Sequence, residues 1–191
     1  MISLNVRAVR LTVALGALLA LAGCASGVKR AEDHKAALFK PSAEIPIGQI
    51  NVSATPEAIA KIEEAKKKFS PELLKGSLMT ALSAQQLLAP NGQGGLVMDV
   101  VVTRVRLRST FNAIMWGAMS GNDAVEGQVT VKDVTGKVLD QFAVNASYAL
   151  GGFGGGQDAT RTGWLYEAFA KEVAAQYAPE PAGGSKTAAR K

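Results

Sequence analysis

The chain has one cysteine and one histidine among its 191 residues. A single cysteine cannot form a disulfide within the chain. The histidine, His34, lies near the N-terminus, outside the part of the sequence that we expect to fold. A serine–histidine–aspartate triad or a histidine metal site requires a histidine in the folded core. We therefore predict no catalytic residue, no metal and no cofactor, and expect that the protein is not an enzyme.

A strong charge imbalance is also missing from the part that should fold. The formal net charge of +5 comes mostly from the first 23 residues and from the tail after Ala178. Residues 24–178 carry 16 basic and 15 acidic side chains. A nucleic-acid-binding domain typically has clustered lysine and arginine and a high pI. We therefore expect no nucleic-acid partner.

The first 23 residues have the pattern of a secretory signal peptide. Arg7 and Arg10 precede an apolar run, Leu11–Ala22, which is shorter than the ~20 residues of a membrane-spanning helix. The run ends in Leu21-Ala22-Gly23-Cys24, which resembles the lipobox of bacterial lipoproteins. The alternative is an ordinary secretory signal in which the cysteine occurs by chance.

The lipobox resemblance implies that Cys24 is acylated and becomes the first residue of the mature chain. Such lipoproteins carry three acyl chains, palmitate among them, and several chains anchor a protein stably where one does not. Neither Ala25 nor Ser26 is the aspartate associated with inner-membrane retention in enteric bacteria. The resemblance thus implies a location in the inner leaflet of the outer membrane, facing the periplasm.

Beyond the signal, the composition predicts three regions. Residues 24–44 are polar, with no sustained period, and predict a flexible tether. Residues 45–178 have a normal size for one domain. Residues 179–191 are rich in proline, glycine, serine and alanine and predict a disordered tail.

The folded region contains four predicted strands, at 45–54, 96–108, 124–133 and 138–149, from their apolar–polar alternation. Thr55-Pro56-Glu57 and Ser70-Pro71-Glu72 are typical helix starts, and a last helix begins at Asp158 or Thr160. A crossover through two helices makes the first two strands parallel. We predict an α+β two-layer sandwich, a four-stranded mixed sheet in the order βααβββα, with the helices packed on one face.

The second predicted strand changes its pattern midway. Leu96, Met98, Val100 and Val102 share one face, and valines on the other face indicate that both faces are buried at first. Further along, Arg104, Arg106 and Arg108 occupy the alternate positions that earlier held Met98 and its apolar neighbours. This change predicts a bulge or a strand end that leaves the core.

The whole pattern resembles an uncharacterised lipoprotein family of Gram-negative bacteria, domain of unknown function 4410. The likeness rests on the lipobox and on three stretches, LVMDVVVTRVRLRS, VEGQVTVKDVTGKVLDQF and TRTGWLYEAFAKEVAAQY. The resemblance implies a component of the cell envelope and implies no reaction.

Other possible chemical sites are weak. The stretch Gly154–Ala159 matches G-x-G-x-x-A, but no strand follows it, as dinucleotide binding would require. Asp99 lies on a predicted buried strand, where pairing with a basic residue is its ordinary explanation.

Two neighbouring features remain as a candidate partner-contact surface, and each has an alternative. Three arginines recur at every second position, which is either a solvated strand end or a patch for lipid phosphates or an acidic protein. The following apolar loop either caps the core or is exposed to a partner or the membrane surface. The predicted contact residues are Arg104, Arg106, Arg108, Phe111, Ile114, Met115, Trp116 and Met119.

From these features we expect a non-enzymatic, lipid-anchored envelope component that binds a protein partner through residues 104–122. The alternative is a carrier of a lipid or another small ligand, which would need a cavity between the sheet and the helices.

Overall fold

The computed structural model describes residues 26–30, 41–65, 69–90, 92, 95–109, 121–148 and 158–178. The strands in these residues are β1 (Gly27–Lys29), β2 (Ile47–Ala54), β3 (Leu96–Arg106), β4 (Asp123–Asp133) and β5 (Val138–Tyr148). The helices are α1 (Pro56–Glu64), α2 (Pro71–Ala84) and α3 (Asp158–Ala175).

The strands form one mixed sheet in the order β1-β5-β4-β3-β2. β2 and β3 are parallel, as the two-helix crossover predicts, and all other neighbours are antiparallel. The mixed α+β architecture is confirmed, but the prediction of four strands is wrong, because the sheet has five. The additional strand, β1, lies inside the segment that we expected to be a tether. Three residues are too few to show an alternating pattern, so only the pairing with β5 reveals it.

Both predicted helix starts after β2 are present. The Thr55 hydroxyl accepts a hydrogen bond from the amide of Ala58, and the Ser70 hydroxyl accepts one from Leu73, each at 3.2 Å. These bonds satisfy amides that have no partner within the helix. The second of these helices, α2, ends at Ala84. Leu88, four residues further on, forms an isolated parallel bridge with Ile47.

One face of the sheet forms the core with α2 and α3. Along β3, every second residue from Leu96 to Val102 is buried, and Leu165, Phe169 and Val173 of α3 are buried in the same cluster. Val97 and Val101 are only partly buried. The prediction that both faces of this strand are buried is therefore wrong, since no helix in the described residues covers the polar face of the sheet, which we call the open face.

Gly127, in the middle of β4, permits a close approach between the sheet and α3. A Cβ atom at this position would lie 3.2 Å from the ring of Phe169 and 3.1 Å from the backbone oxygen of Val101. Because both neighbours are themselves packed, the position has no room for a larger residue.

Candidate interaction site

The end of β3 contains the bulge that its sequence predicts. The pairing between β3 and β4 shifts register between Val102 and Arg104, which is a β-bulge at Thr103. The bulge reverses the parity of the strand, so Arg104 and Arg106 are both exposed.

Arg104 forms an exposed ion pair. Its Nη1 lies 3.4 Å from the Oε1 of Glu126 on the neighbouring strand, and half of the arginine side chain is accessible to solvent. Exposed pairs of this kind contribute about 0–1 kcal/mol, so either charge is available to a partner at little cost.

Arg106 lies beside Gly121, the first described residue after the apolar loop. Gly121 has a φ of +87°, and its missing side chain leaves the space that the Arg106 guanidinium occupies. A larger residue at Gly121 would be strained and would displace this side chain.

Arg108 does not belong to the exposed patch. It is only 6% exposed, and its backbone amide donates to Oδ1 of Asp123 at 2.7 Å. Its guanidinium makes two further contacts with the same carboxylate, each at 3.3 Å. The prediction that all three arginines share one exposed side of a strand is therefore wrong for Arg108, which lies beyond the end of β3.

A second buried arginine completes this cluster. Arg161 of α3 is fully buried, and its Nη1 lies 3.6 Å from Oδ2 of Asp123. Its Nη2 donates to the backbone oxygen of Arg108 at 2.9 Å. We call Arg108, Asp123 and Arg161 the buried triad. It ties the end of β3 to the start of β4 and to the first turns of α3.

The sequence interpretation missed Asp123 and Arg161. A signal exists for Arg161, which lies four residues before Leu165 and eight before Phe169. It therefore shares the buried stripe of the last helix. An arginine in such a stripe needs a buried acid, and this rule would have directed attention to Asp123 at the start of a strand.

The apolar loop lies outside the described residues. This applies to Phe111, Ile114, Met115, Trp116 and Met119, and their role as contact residues stays a prediction. The described chain reaches Ser109 on one side and resumes at Gly121 on the other. Both positions adjoin the exposed Arg106, so the loop begins and ends at this end of the sheet.

The N-terminal segment reaches the same end of the sheet. The hydroxyl of Ser26 accepts a hydrogen bond from the amide of Ser147, at 3.2 Å. Ser147 pairs with Ala124, and Ala124 pairs with Arg106. We call this line, from Ser26 through Ser147 and Ala124 to Arg106, the terminal row. Neighbouring strands are ~4.8 Å apart, so Arg106 lies roughly 10 Å across the sheet from Ser147.

Arg30 fastens the N-terminal segment to the core. It forms an ion pair with the buried Asp140, and its guanidinium lies 4.6 Å from the centre of the Phe142 ring. Oδ2 of Asp140 accepts a second hydrogen bond from the hydroxyl of Tyr177, at 2.9 Å. Burial, assisted by the charge of Asp140, raises the pKa of Tyr177 far above its usual value. Residues 26–30 are thus part of the folded domain.

The structure supports the ordinary explanation for Asp99. Its carboxylate accepts hydrogen bonds from Lys132 at 2.7 Å and from Asn51 at 2.8 Å. The hydrogen bond from Lys132 lowers the pKa of Asp99. Asp99 lies on the open face of the sheet, where a carboxylate held ionised by a lysine is a structural pair.

The described residues contain neither a metal site nor a membrane-spanning helix. No group of three or more histidine, cysteine, aspartate or glutamate side chains suited to a metal occurs in the part of the chain that the structure describes. Within that part, no helix is long and apolar enough to cross a membrane. Cys24, His34 and Gly154–Gln157 lie outside it.

The sequence of this domain matches a known protein family. The family model described as "Domain of unknown function (DUF4410)" matches residues 43–152. The chain belongs to this family. The match covers α1, α2 and strands β2 to β5, and so includes the terminal row from Arg106 to Ser147. No curated protein gives a significant match.

Solved structures show weaker likenesses. A PelC dodecamer from Paraburkholderia phytofirmans is 12% identical, with a TM-score of 0.41, over 81% of this chain and 99% of that chain. A minor lipoprotein from Acinetobacter baumannii is 12% identical, with a TM-score of 0.37, over 69% of this chain and 88% of that chain. TM-scores this low carry no argument about function, which must come from the residues of the DUF4410 domain itself.

Proposed function

We propose that this DUF4410 protein is a non-enzymatic component of the bacterial cell envelope. It is anchored through lipid on Cys24 in the inner leaflet of the outer membrane and faces the periplasm. Through residues 104–122 it binds an envelope protein that presents an acidic surface. The lipobox supports the anchor, and the exposed Arg104 and Arg106 beside the apolar loop support the contact surface.

The observation that carries this proposal is the terminal row. Only Ala25 separates Cys24 from Ser26, which is hydrogen-bonded to the end of β5. Two residue steps span at most ~7 Å, so a lipid on Cys24 holds this end of the sheet close to the membrane surface. Arg106 and both ends of the apolar loop lie at this end. A partner that binds at this end of the sheet therefore contacts the domain close to the membrane surface.

The charge of the surface favours an acidic partner. Glu126 faces Arg104 at 3.4 Å, while Arg106 is exposed beside Gly121. The apolar side chains predicted for the loop, Trp116 above all, are of the kind that anchor protein interfaces. Basic side chains next to an apolar segment of the sequence fit a protein that carries acids next to an apolar patch.

The carrier alternative is less favoured. It needs space between the sheet and the helices, whereas the described side chains in that layer are packed against one another. Met98 and Val100 of β3, and Leu165 and Phe169 of α3, are all fully buried in a single cluster.

The anchor is tested first. Cells that produce the full chain are treated with globomycin, which blocks processing of lipoprotein signals, and Cys24 of untreated protein is analysed by mass spectrometry. We expect precursor to accumulate with the drug and a tri-acylated cysteine without it. An unmodified Cys24 in mature protein would remove the anchor.

The contact surface is tested by photo-crosslinking in living cells. A crosslinking amino acid replaces Arg106 or Trp116 in separate variants, and Val134 serves as the control. Val134 is 78% exposed but lies in the turn after β4, at the opposite end of the sheet. We expect one protein to be captured from both test positions and not from Val134. Arg106→Glu should abolish capture from Trp116. Equal capture from Val134, or capture that survives Arg106→Glu, contradicts the assignment.

A further inference from the structure

The outer edge of β2 is a second surface with unmet hydrogen-bonding capacity. β2 is the last strand in the sheet order, and among the described residues its outer edge is covered only at its start. There the amide of Ile47 donates to Leu87 at 2.8 Å, and its backbone oxygen accepts from Ala89 at 2.9 Å. From Gly48 to Ala54, no described residue pairs with this edge.

The direction of each backbone group follows from the register. The amide of Thr55 donates to Val102 of β3 at 2.9 Å, and Ala54 is the register partner of Val102. In a parallel ladder, the residues that bond to the neighbour alternate with residues that do not. Ile50, Val52 and Ala54 therefore direct their N–H and C=O groups away from β3, towards the free edge.

This edge lacks the usual protection against strand pairing. Natural edge strands are kept apart by charge, proline, shortness or a cover. The opposite edge, β1, has only three residues. The Gly48–Ala54 stretch of β2, GQINVSA, has no charged residue and no proline. An edge of this length, with no described residue paired to it, is suited to receive another strand.

The groove beside the edge has self-complementary charge. Two grooves of about 230 and 320 Å³ run along the edge under α2. Lys75 lines both of them, beside Ile50, and Glu72 lines only the second, beside Val52. A twofold axis through the edge near Asn51 exchanges these two positions. Lys75 of one copy then faces Glu72 of the other.

We propose that the β2 edge is a self-association surface, on which two copies of the chain pair antiparallel through β2 and form one continuous sheet. The uncharged Gln49, Asn51 and Ser53 oppose one another on the open face without repulsion. On the helix side, the half-exposed Met79 beside the groove becomes covered. The residues that carry this proposal are different from those of the partner surface at the terminal row.

Disulfide trapping in the full-length protein tests this pairing. Gln49→Cys, Asn51→Cys and Ser53→Cys are made singly, and each pair is also co-expressed with distinguishable tags. The side chains at these three positions lie on the open face. Whether the twofold axis is centred on Ile50, Asn51 or Val52, at least one single variant or co-expressed pair places two sulfur atoms opposite each other. We expect an oxidised dimer of twice the chain mass from at least one combination.

The matched control is Gln128→Cys. Gln128 is exposed on the same open face, but it lies on β4 in the middle of the sheet. Edge cysteines that give no dimer either in the acylated chain or in a chain without lipid, that crosslink as weakly as Gln128→Cys, or that trap a different protein would each overturn the proposal. A dimer of the wild-type chain through Cys24 would instead show that this cysteine is not acylated, which counts against the anchor and not against the edge.

A second variant blocks the edge without touching the internal ladder. Val52→Pro removes an N–H that points away from β3, and proline is tolerated at edge positions of this kind. When Val52→Pro is added to a cysteine variant that forms the dimer, we expect the yield of crosslinked dimer to fall several-fold. Circular dichroism and the Tm should still show a folded chain. A folded Val52→Pro chain that still crosslinks fully would refute pairing through this edge. If Val52→Pro does not fold, the single cysteines alone decide the outcome.

Discussion

Removal of the Asp123 carboxylate should destabilise the domain strongly. Asp123 is fully buried between two guanidinium groups, those of Arg108 and Arg161. Asp123→Asn keeps the shape of the side chain but leaves both positive charges buried without this acid. Breaking a buried ion pair by removing one partner typically costs about 3–5 kcal/mol. Domains of this kind have a total stability of only about 5–15 kcal/mol.

The matched control is Glu126→Gln. It makes the same change of charge three residues along the same strand, at an exposed pair with Arg104. We expect this change to lower the free energy of unfolding by about 0–1 kcal/mol. The comparison separates the effect of burial from the effect of net charge.

The assay is equilibrium unfolding in urea, followed by circular dichroism and tryptophan fluorescence. With an m value of about 1–3 kcal/mol per M, the Asp123→Asn loss should lower the urea midpoint by more than ~1 M at an unchanged m. If the urea midpoints of Asp123→Asn and Glu126→Gln lie within ~0.3 M of each other, and their m values are similar, the role assigned to the buried triad is refuted.

Three further predictions follow from single contacts. Gly127→Val should lower the free energy of unfolding by about 1–3 kcal/mol, measured in urea, because its side chain would meet the ring of Phe169. Burial raises the pKa of Tyr177, and that of Tyr166 as well, so Tyr177 should stay protonated near pH ~10, where a free tyrosine ionises. Ultraviolet absorbance should therefore show that fewer than the three tyrosines of the chain ionise near pH ~10 until the protein unfolds. The contribution of Tyr177 to stability should be constant below pH ~10 and fall above it. Arg30→Met should raise hydrogen exchange in β1, because Asp140 loses its ion pair with that segment.

The regular part of the fold was predictable because local signals agreed with tertiary packing. Thr55 and Ser70 cap their helices as their positions before proline indicate. The bulge at Thr103 was predictable for a similar reason, since a change of parity in one strand has few structural explanations.

What the sequence did not indicate depends on contacts between distant residues. β1 is a strand only because β5 offers a free edge, and its pairing joins residues more than 110 positions apart. Arg108 is buried only because Asp123 and Arg161 meet it. At the candidate site, the exposure of Arg104 and Arg106 followed from the pattern, whereas the distinction between them and Arg108 did not.

The two proposed surfaces lie on different sides of the domain, and this separation has a functional consequence. The proposed anchor precedes β1, at one edge of the sheet, while β2 forms the other edge. Four strand spacings of ~4.8 Å place these edges roughly 19 Å apart. Pairing through β2 therefore leaves Ser26 and the terminal row uncovered.

A twofold axis perpendicular to the sheet reverses the direction of the strands, so the two terminal rows of a β2-paired dimer would point in opposite directions. Both lipid anchors can reach one membrane only if the joined sheet lies along its surface. If the domain instead stands with its terminal row against the membrane, pairing through β2 and anchoring of both copies exclude each other. Disulfide trapping compared between the acylated chain and a chain without lipid therefore reports the orientation of the domain as well as its self-association.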